Sequence, residues 1–130
     1  MAGFMIFIKW ILAWWALWRS TGADPTIVTI SSGKYQGEQR GYYYAFEGIP
    51  YAEPPTGQNR FEPPKSYNET WDEIRLVREM SPQCMQWDNF SPLLTRLKGA
   101  EDCLYMNIYI PASVRKSGEK APVIFFIHGG

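Results

Sequence analysis

Val123-Ile124-Phe125-Phe126-Ile127 sets five large apolar side chains in a row and runs straight into His128-Gly129-Gly130. A strand with one wet face alternates apolar and polar residues, so a short run without alternation reads as a strand buried on both faces. Strands of that kind lie inside a sheet covered by helices on each side, which makes the fold class α/β. An inner strand also needs neighbours along both edges, and the chain stops at Gly130. The expectation is therefore a truncated chain: the N-terminal part of a larger α/β sheet, with early hairpin strands followed by the first central strands.

The preceding segments fit that plan. Thr26-Ile27-Val28-Thr29-Ile30 is rich in β-branched residues and stops at Ser31-Ser32-Gly33, and after a polar stretch to Gly41 comes Tyr42-Tyr43-Tyr44-Ala45-Phe46. These read as strands joined by tight turns. Pro50, Pro54, Pro55, Pro63 and Pro64 remove backbone donors and disfavour helix before them, so 50–64 reads as an ordered or extended loop. Residues 71–80, with Trp71, Ile74, Val77 and Met80 apolar among charges, predict one or two helical turns. Leu104, Met106, Ile108 and Ile110 alternate with Tyr105, Asn107 and Tyr109, the pattern of a strand with one face toward a core, ended by Pro111. A polar link carrying Arg115, Lys116, Gly118 and Lys120 leads to the apolar run.

Phe4 to Trp18 is almost wholly apolar, interrupted by Lys9, and holds four of the six tryptophans. Its unbroken part, Trp10 to Trp18, has the length of a signal-peptide core and falls short of the roughly 20 residues that span hydrocarbon. Thr21-Gly22-Ala23 supplies small residues for a cut before Asp24, so 1–23 reads as a signal peptide and 24–130 as the mature part, with an uncleaved anchor as the alternative. A secreted protein without a stable membrane span is expected. Behind such a leader, Cys84 and Cys103 point to one disulfide, worth roughly 3 kcal/mol in the chain-entropy model. Two buried free thiols are the alternative. Asn68-Glu69-Thr70 and Asn89-Phe90-Ser91 are glycosylation acceptors, Asn89 the weaker because Pro92 follows.

Composition excludes other classes. With 130 residues, 45% of them apolar and 16% aromatic, the chain is neither disordered nor larger than one domain. Its 13 basic and 13 acidic residues balance; without 1–23, 11 basic residues face 13 acidic ones, a net charge of −2. No basic block is present to neutralise phosphates, so nucleic acid is not an expected partner. No metal-ligand cluster stands out, and neither a metal nor another cofactor is expected.

A glycine-rich turn after an inner strand brings backbone N–H groups close to an oxygen that gains charge during acyl transfer, since no Cβ blocks the approach. An ordinary strand-to-loop turn is the competing reading of His128-Gly129-Gly130. The wider sequence decides between them. Phe46-Glu47-Gly48-Ile49-Pro50-Tyr51-Ala52-Glu53-Pro54-Pro55-Thr56-Gly57-Gln58-Asn59-Arg60-Phe61 and Glu101-Asp102-Cys103-Leu104-Tyr105-Met106-Asn107-Ile108-Tyr109-Ile110-Pro111 resemble two signature stretches of the type-B carboxylesterase and cholinesterase-like family. His128-Gly129-Gly130 resembles the start of its oxyanion turn, and the likeness extends from about Thr26 to Gly130. Met106 departs mildly, where the family usually has Leu, Ile, Val or Thr.

The resemblance implies an α/β-hydrolase that cleaves small-molecule carboxylic esters through a serine on a Gly-x-Ser-x-Gly elbow, a relay histidine and an acid. It assigns Gly129 and Gly130 to the oxyanion turn, with Gly130 supplying one N–H. It also implies the Cys84–Cys103 disulfide near the mouth of the active site, with Trp87 and Phe90 packing or lining substrate, and a buried ion pair between Arg60 and Glu101. No Gly-x-Ser-x-Gly occurs, and the single histidine, His128, belongs to the turn. The stretch alone is therefore expected to be inactive. The second expectation is a catalytically silent hydrolase-fold protein acting in adhesion or binding, as some members of that family do.

Overall fold

The computed structural model describes residues 23–88 and 96–129. Strands β1 (Ile27–Ile30) and β2 (Gly33–Gln36) form an antiparallel hairpin, with Ile27 opposite Gln36 and Ile30 opposite Gly33. Strands β3 (Glu38–Arg40) and β4 (Tyr43–Pro50) form a second one, turned at Gly41 with φ 58°. β5 spans Ile74–Leu76, β6 Gln86–Asp88, β7 Arg96–Lys98 and β8 Tyr105–Pro111. A short helix α1, Ala112–Ser117, follows β8. The strands assemble as β1-β2-β5, β3-β4-β8 and the two-stranded β6-β7.

The core lies between the two three-stranded sheets. Tyr35 of β2, Tyr44 and Phe46 of β4, and Val77 are buried together, and Val28, Ile49, Trp71, Ile110 and Ala112 pack around them. Burying each large side chain contributes on the order of 1.5–3 kcal/mol. β4 does not alternate: Tyr44, Ala45, Phe46 and Glu47 are all buried in succession. A bulge explains the last of these. The β4–β8 register shifts between Phe46 and Ile49, Gly48 takes φ 74°, and its N–H donates to Asn107 Oδ1 at 3.0 Å. The extra residue turns Glu47 inward and pairs it with Arg78 across an isolated bridge.

Three expectations change. Residues 71–80 form no helix: Ile74–Leu76 runs parallel to β2, Lys34 opposite Ile74. Pairing with β2 satisfies backbone groups that a helical turn would have bonded locally. Trp71 N–H donates to Ser32 O, Val77 N–H to Gln36 O, and Glu47 N–H to Val77 O, each at 2.9 Å. Sheet pairing and the burial of Val77 thus outweigh the apolar spacing. The polar link after Pro111 begins as helix α1, stopped by Gly118 in the left-handed conformation with its N–H on Val114 O. Finally, Val123–Ile127 is not a strand; its side chains are 78–93% exposed. A run of this kind becomes an inner strand only when neighbours pair with both its edges, and no strand among the described residues does so.

Candidate functional site

The proline-rich loop is ordered by backbone pairing at its base and by an internal cap. Ala52 bridges Ser66, and Glu53 N–H donates to Lys65 O at 2.9 Å. Residues Gly57–Asn59 make one 3₁₀ turn, and Asn59 Nδ2 reaches Pro54 O at 3.3 Å. The loop tip presents Phe61 at φ 64° with its ring 94% exposed. Beside it, Arg60 Nη2 lies 2.8 Å from Glu101 Oε1. The two residues are brought together as an ion pair, and among the described residues their side chains are 56% and 42% exposed, so the pair is solvated here. Water on both partners reduces such a pair to at most about 1 kcal/mol.

Cys84 and Cys103 are joined in a disulfide with Cα atoms 5.0 Å apart. Ala100 N–H donates to Gln83 O at 2.8 Å beside it, closing the neck of a loop that carries the β6–β7 hairpin. On this hairpin Trp87 stands opposite Leu97; the two are 60% and 54% exposed, so among the described residues Trp87 does not pack into a core. Asn89 and Phe90 lie outside the described residues.

The disulfide neck leads into β8, which the chain fastens to the proline-rich loop through Tyr51 N–H on Leu104 O at 3.1 Å. From β8 the chain passes through α1 to the apolar run and the candidate turn. His128 Nδ1 is 2.9 Å from Gly129 O. Both residues are exposed, and the space around Gly129 is open where a Cβ would stand. Gly130 lies outside the described residues.

Sequence reasoning missed one buried polar cluster. Glu47, 2% exposed, accepts from Arg40 Nη1 at 2.9 Å, from Arg40 Nη2 at 2.7 Å and from the Tyr109 hydroxyl at 2.8 Å. Arg40 Nη2 also donates to Arg78 O at 3.0 Å. Burial pushes the Glu47 carboxyl up, but the hydrogen bonds from Arg40 and Tyr109 together outweigh it and leave the group below the ordinary glutamate value. The same surroundings push the Tyr109 phenol up, through burial first and its bond to Glu47 second. A carboxylate so fully committed to fixed donors acts as a structural anion, holding β3, β4 and β8 together. The signal was present in Gly48 directly after a charged strand residue, which marks a bulge.

The described chain is similar in structure to solved esterases. The PNB esterase superposes with a TM-score of 0.55 at 37% identity, over 68% of this chain and 17% of its own. A thermophilic PNB esterase gives 0.57 at 34% identity, over 68% and 19%. The class is thus the α/β-hydrolase, seen over its N-terminal part. A family model described as the carboxylesterase family matches residues 24–130, and the chain belongs to that family. Esterase-5A of Drosophila persimilis is 38% identical over 133 residues, 97% of this chain and 24% of the relative. Esterase P of Drosophila melanogaster is 40% identical over 116 residues, 89% of this chain and 21% of the relative. The chain spans about a quarter of the length of the curated relatives it matches.

Proposed function

We propose that the complete protein is a secreted serine carboxylesterase. The observation that carries this reading is the carboxylesterase-family match across 24–130, which includes the start of the His128-Gly129-Gly130 turn. In the proposed reaction a serine oxygen attacks the ester carbonyl carbon while a histidine takes the serine proton. The carbonyl oxygen becomes anionic and is held by backbone N–H groups, of which Gly130 supplies one. Collapse expels the alcohol, protonated by the histidine, and leaves an acyl-enzyme that water hydrolyses to the acid. Each oxyanion donor contributes about 2.7–4 kcal/mol to the transition state. The serine, relay histidine and acid belong outside these 130 residues, which hold one histidine and no Gly-x-Ser-x-Gly. Substrates are esters with moderate, largely apolar acyl or alcohol groups.

Secretion rests on the apolar leader and its small residues before Asp24. The test expresses the complete coding sequence and the 130-residue stretch in parallel and assays nitrophenyl acetate. Turnover by the complete protein, abolished by a serine-directed phosphorylating reagent, with none from the stretch alone, is expected. A complete protein with another residue at the elbow and no turnover overturns the reading in favour of a binding protein.

A further inference from the structure

We infer that Asn68 carries an N-linked glycan, held clear of the fold by a clamp on its two neighbours; the inference rests on the secretory part of the reading above. The acceptor tripeptide Asn68-Glu69-Thr70 lies on a segment fixed at both ends. Ser66 bridges Ala52, and Trp71 N–H donates to Ser32 O at 2.9 Å while its indole N–H donates to Lys34 O at 3.0 Å. Between these anchors, Tyr67 and Glu69 both turn to Arg75. Arg75 Nη2 lies 2.7 Å from Glu69 Oε1, Arg75 Nη1 lies 3.1 Å from Glu69 Oε2 and 2.9 Å from the Tyr67 oxygen, and the Tyr67 hydroxyl bonds to Glu69. The guanidinium in turn sits 4.2 Å from the centre of the Trp71 ring.

The clamp therefore uses alternate residues, and Asn68 and Thr70 lie between its contacts. Both are exposed, and among the described residues neither takes a hydrogen-bond partner. The contacts to Arg75 come from Tyr67 and Glu69, so the two groups a glycosyltransferase reads, on Asn68 and Thr70, take no part in the clamp. A bulky sugar at Asn68 displaces nothing that the clamp holds. The modification uses a polyprenyl-diphosphate-linked oligosaccharide. Asn68 Nδ2 forms a bond to C1 of the first sugar as the C1–oxygen bond to the diphosphate breaks. Polyprenyl diphosphate leaves with the bonding pair, and one amide proton passes to a base.

The experiment expresses the complete precursor with its own leader in insect cells and digests the protein from medium and from membranes. The peptides are then treated with a peptide-N-glycosidase, which leaves Asp where a glycosylated Asn stood. The expected result is Asp at position 68 in the secreted protein, lost in Thr70→Ala and retained in Thr70→Ser. A Thr70→Ala chain that stays in the cell is read from the membrane fraction. Secreted protein with its leader removed and Asn68 unchanged overturns the glycan alone. A chain that keeps its leader in the cytosol, with neither acceptor modified, overturns the secretory reading and the glycan with it.

Discussion

Glu47 makes a charged side chain part of the interior, while its partner Arg40 is 36% exposed and also pairs with Glu38. Replacing Glu47 by Gln keeps the shape but removes the charge facing Arg40, so Glu47→Gln is expected to destabilise the complete protein by about 1.5 kcal/mol in chemical denaturation. Arg60→Ala tests the opposite environment. Because both partners of the Arg60–Glu101 pair are wet, the same measurement should move by less than about 1 kcal/mol. Glu69 supplies a pH signature. Hydrogen bonds from Arg75 and then Tyr67 hold its carboxyl at about 2, against 4.5 for a free glutamate. A depressed carboxyl contributes stability above its unfolded value and loses it as pH falls through the folded one. The stability difference between wild type and Glu69→Gln should therefore be full above about 4.5 and vanish toward about 2, as denaturation at stepped pH will show.

Among the elements, the β4 bulge is the most exacting. Gly48 adopts φ 74°, and a Cβ there would meet Glu79 O at 2.7 Å. Gly48→Ala combines backbone strain with a clash against main chain, and a loss of about 2 kcal/mol is expected in the thermal or chemical unfolding of the complete protein. What the sequence made legible follows from how local each element is. β8 was readable because Met106 to Ile110 alternates within one strand, although Ile108 remains 42% exposed. The β1 strand and the turn after it were readable from β-branched residues followed by Ser31-Ser32-Gly33. β5 was not, because its partner Lys34–Gln36 lies 40 positions earlier and the spacing of Trp71, Ile74 and Val77 suits a helix equally well. α1 escaped although Gly118, its stop, was in view. The burial of Glu47 depends on a bulge, on Arg40 and on Tyr109 at once, a conjunction that no single window displays.

For the whole molecule, the candidate site was legible as residues and not as geometry. Cys84 and Cys103 were named and are joined. The turn was named, yet His128 and Gly129 stand exposed after an unpaired Val123–Ile127, because strand neighbours and covering helices decide where such amides point. The catalytic proposal is checked most directly at Gly130. Gly130→Pro removes the N–H assigned to the oxyanion, so kcat of the complete enzyme for nitrophenyl acetate should fall about 100- to 1000-fold with KM little changed. An unaltered kcat would remove Gly130 from the reaction.

The bare Val123–Ile127 stretch also bears on synthesis. Among the described residues the strands of the two hairpin systems pair with one another and all lie before Ser117, so that part is able to close during synthesis while Val123–Ile127 waits without a strand partner. During that wait it is an adhesive ribbon of β-branched and aromatic side chains with no charge of its own. Slowed translation at this point should lengthen the vulnerable interval and raise the demand for chaperones that bind extended apolar chain.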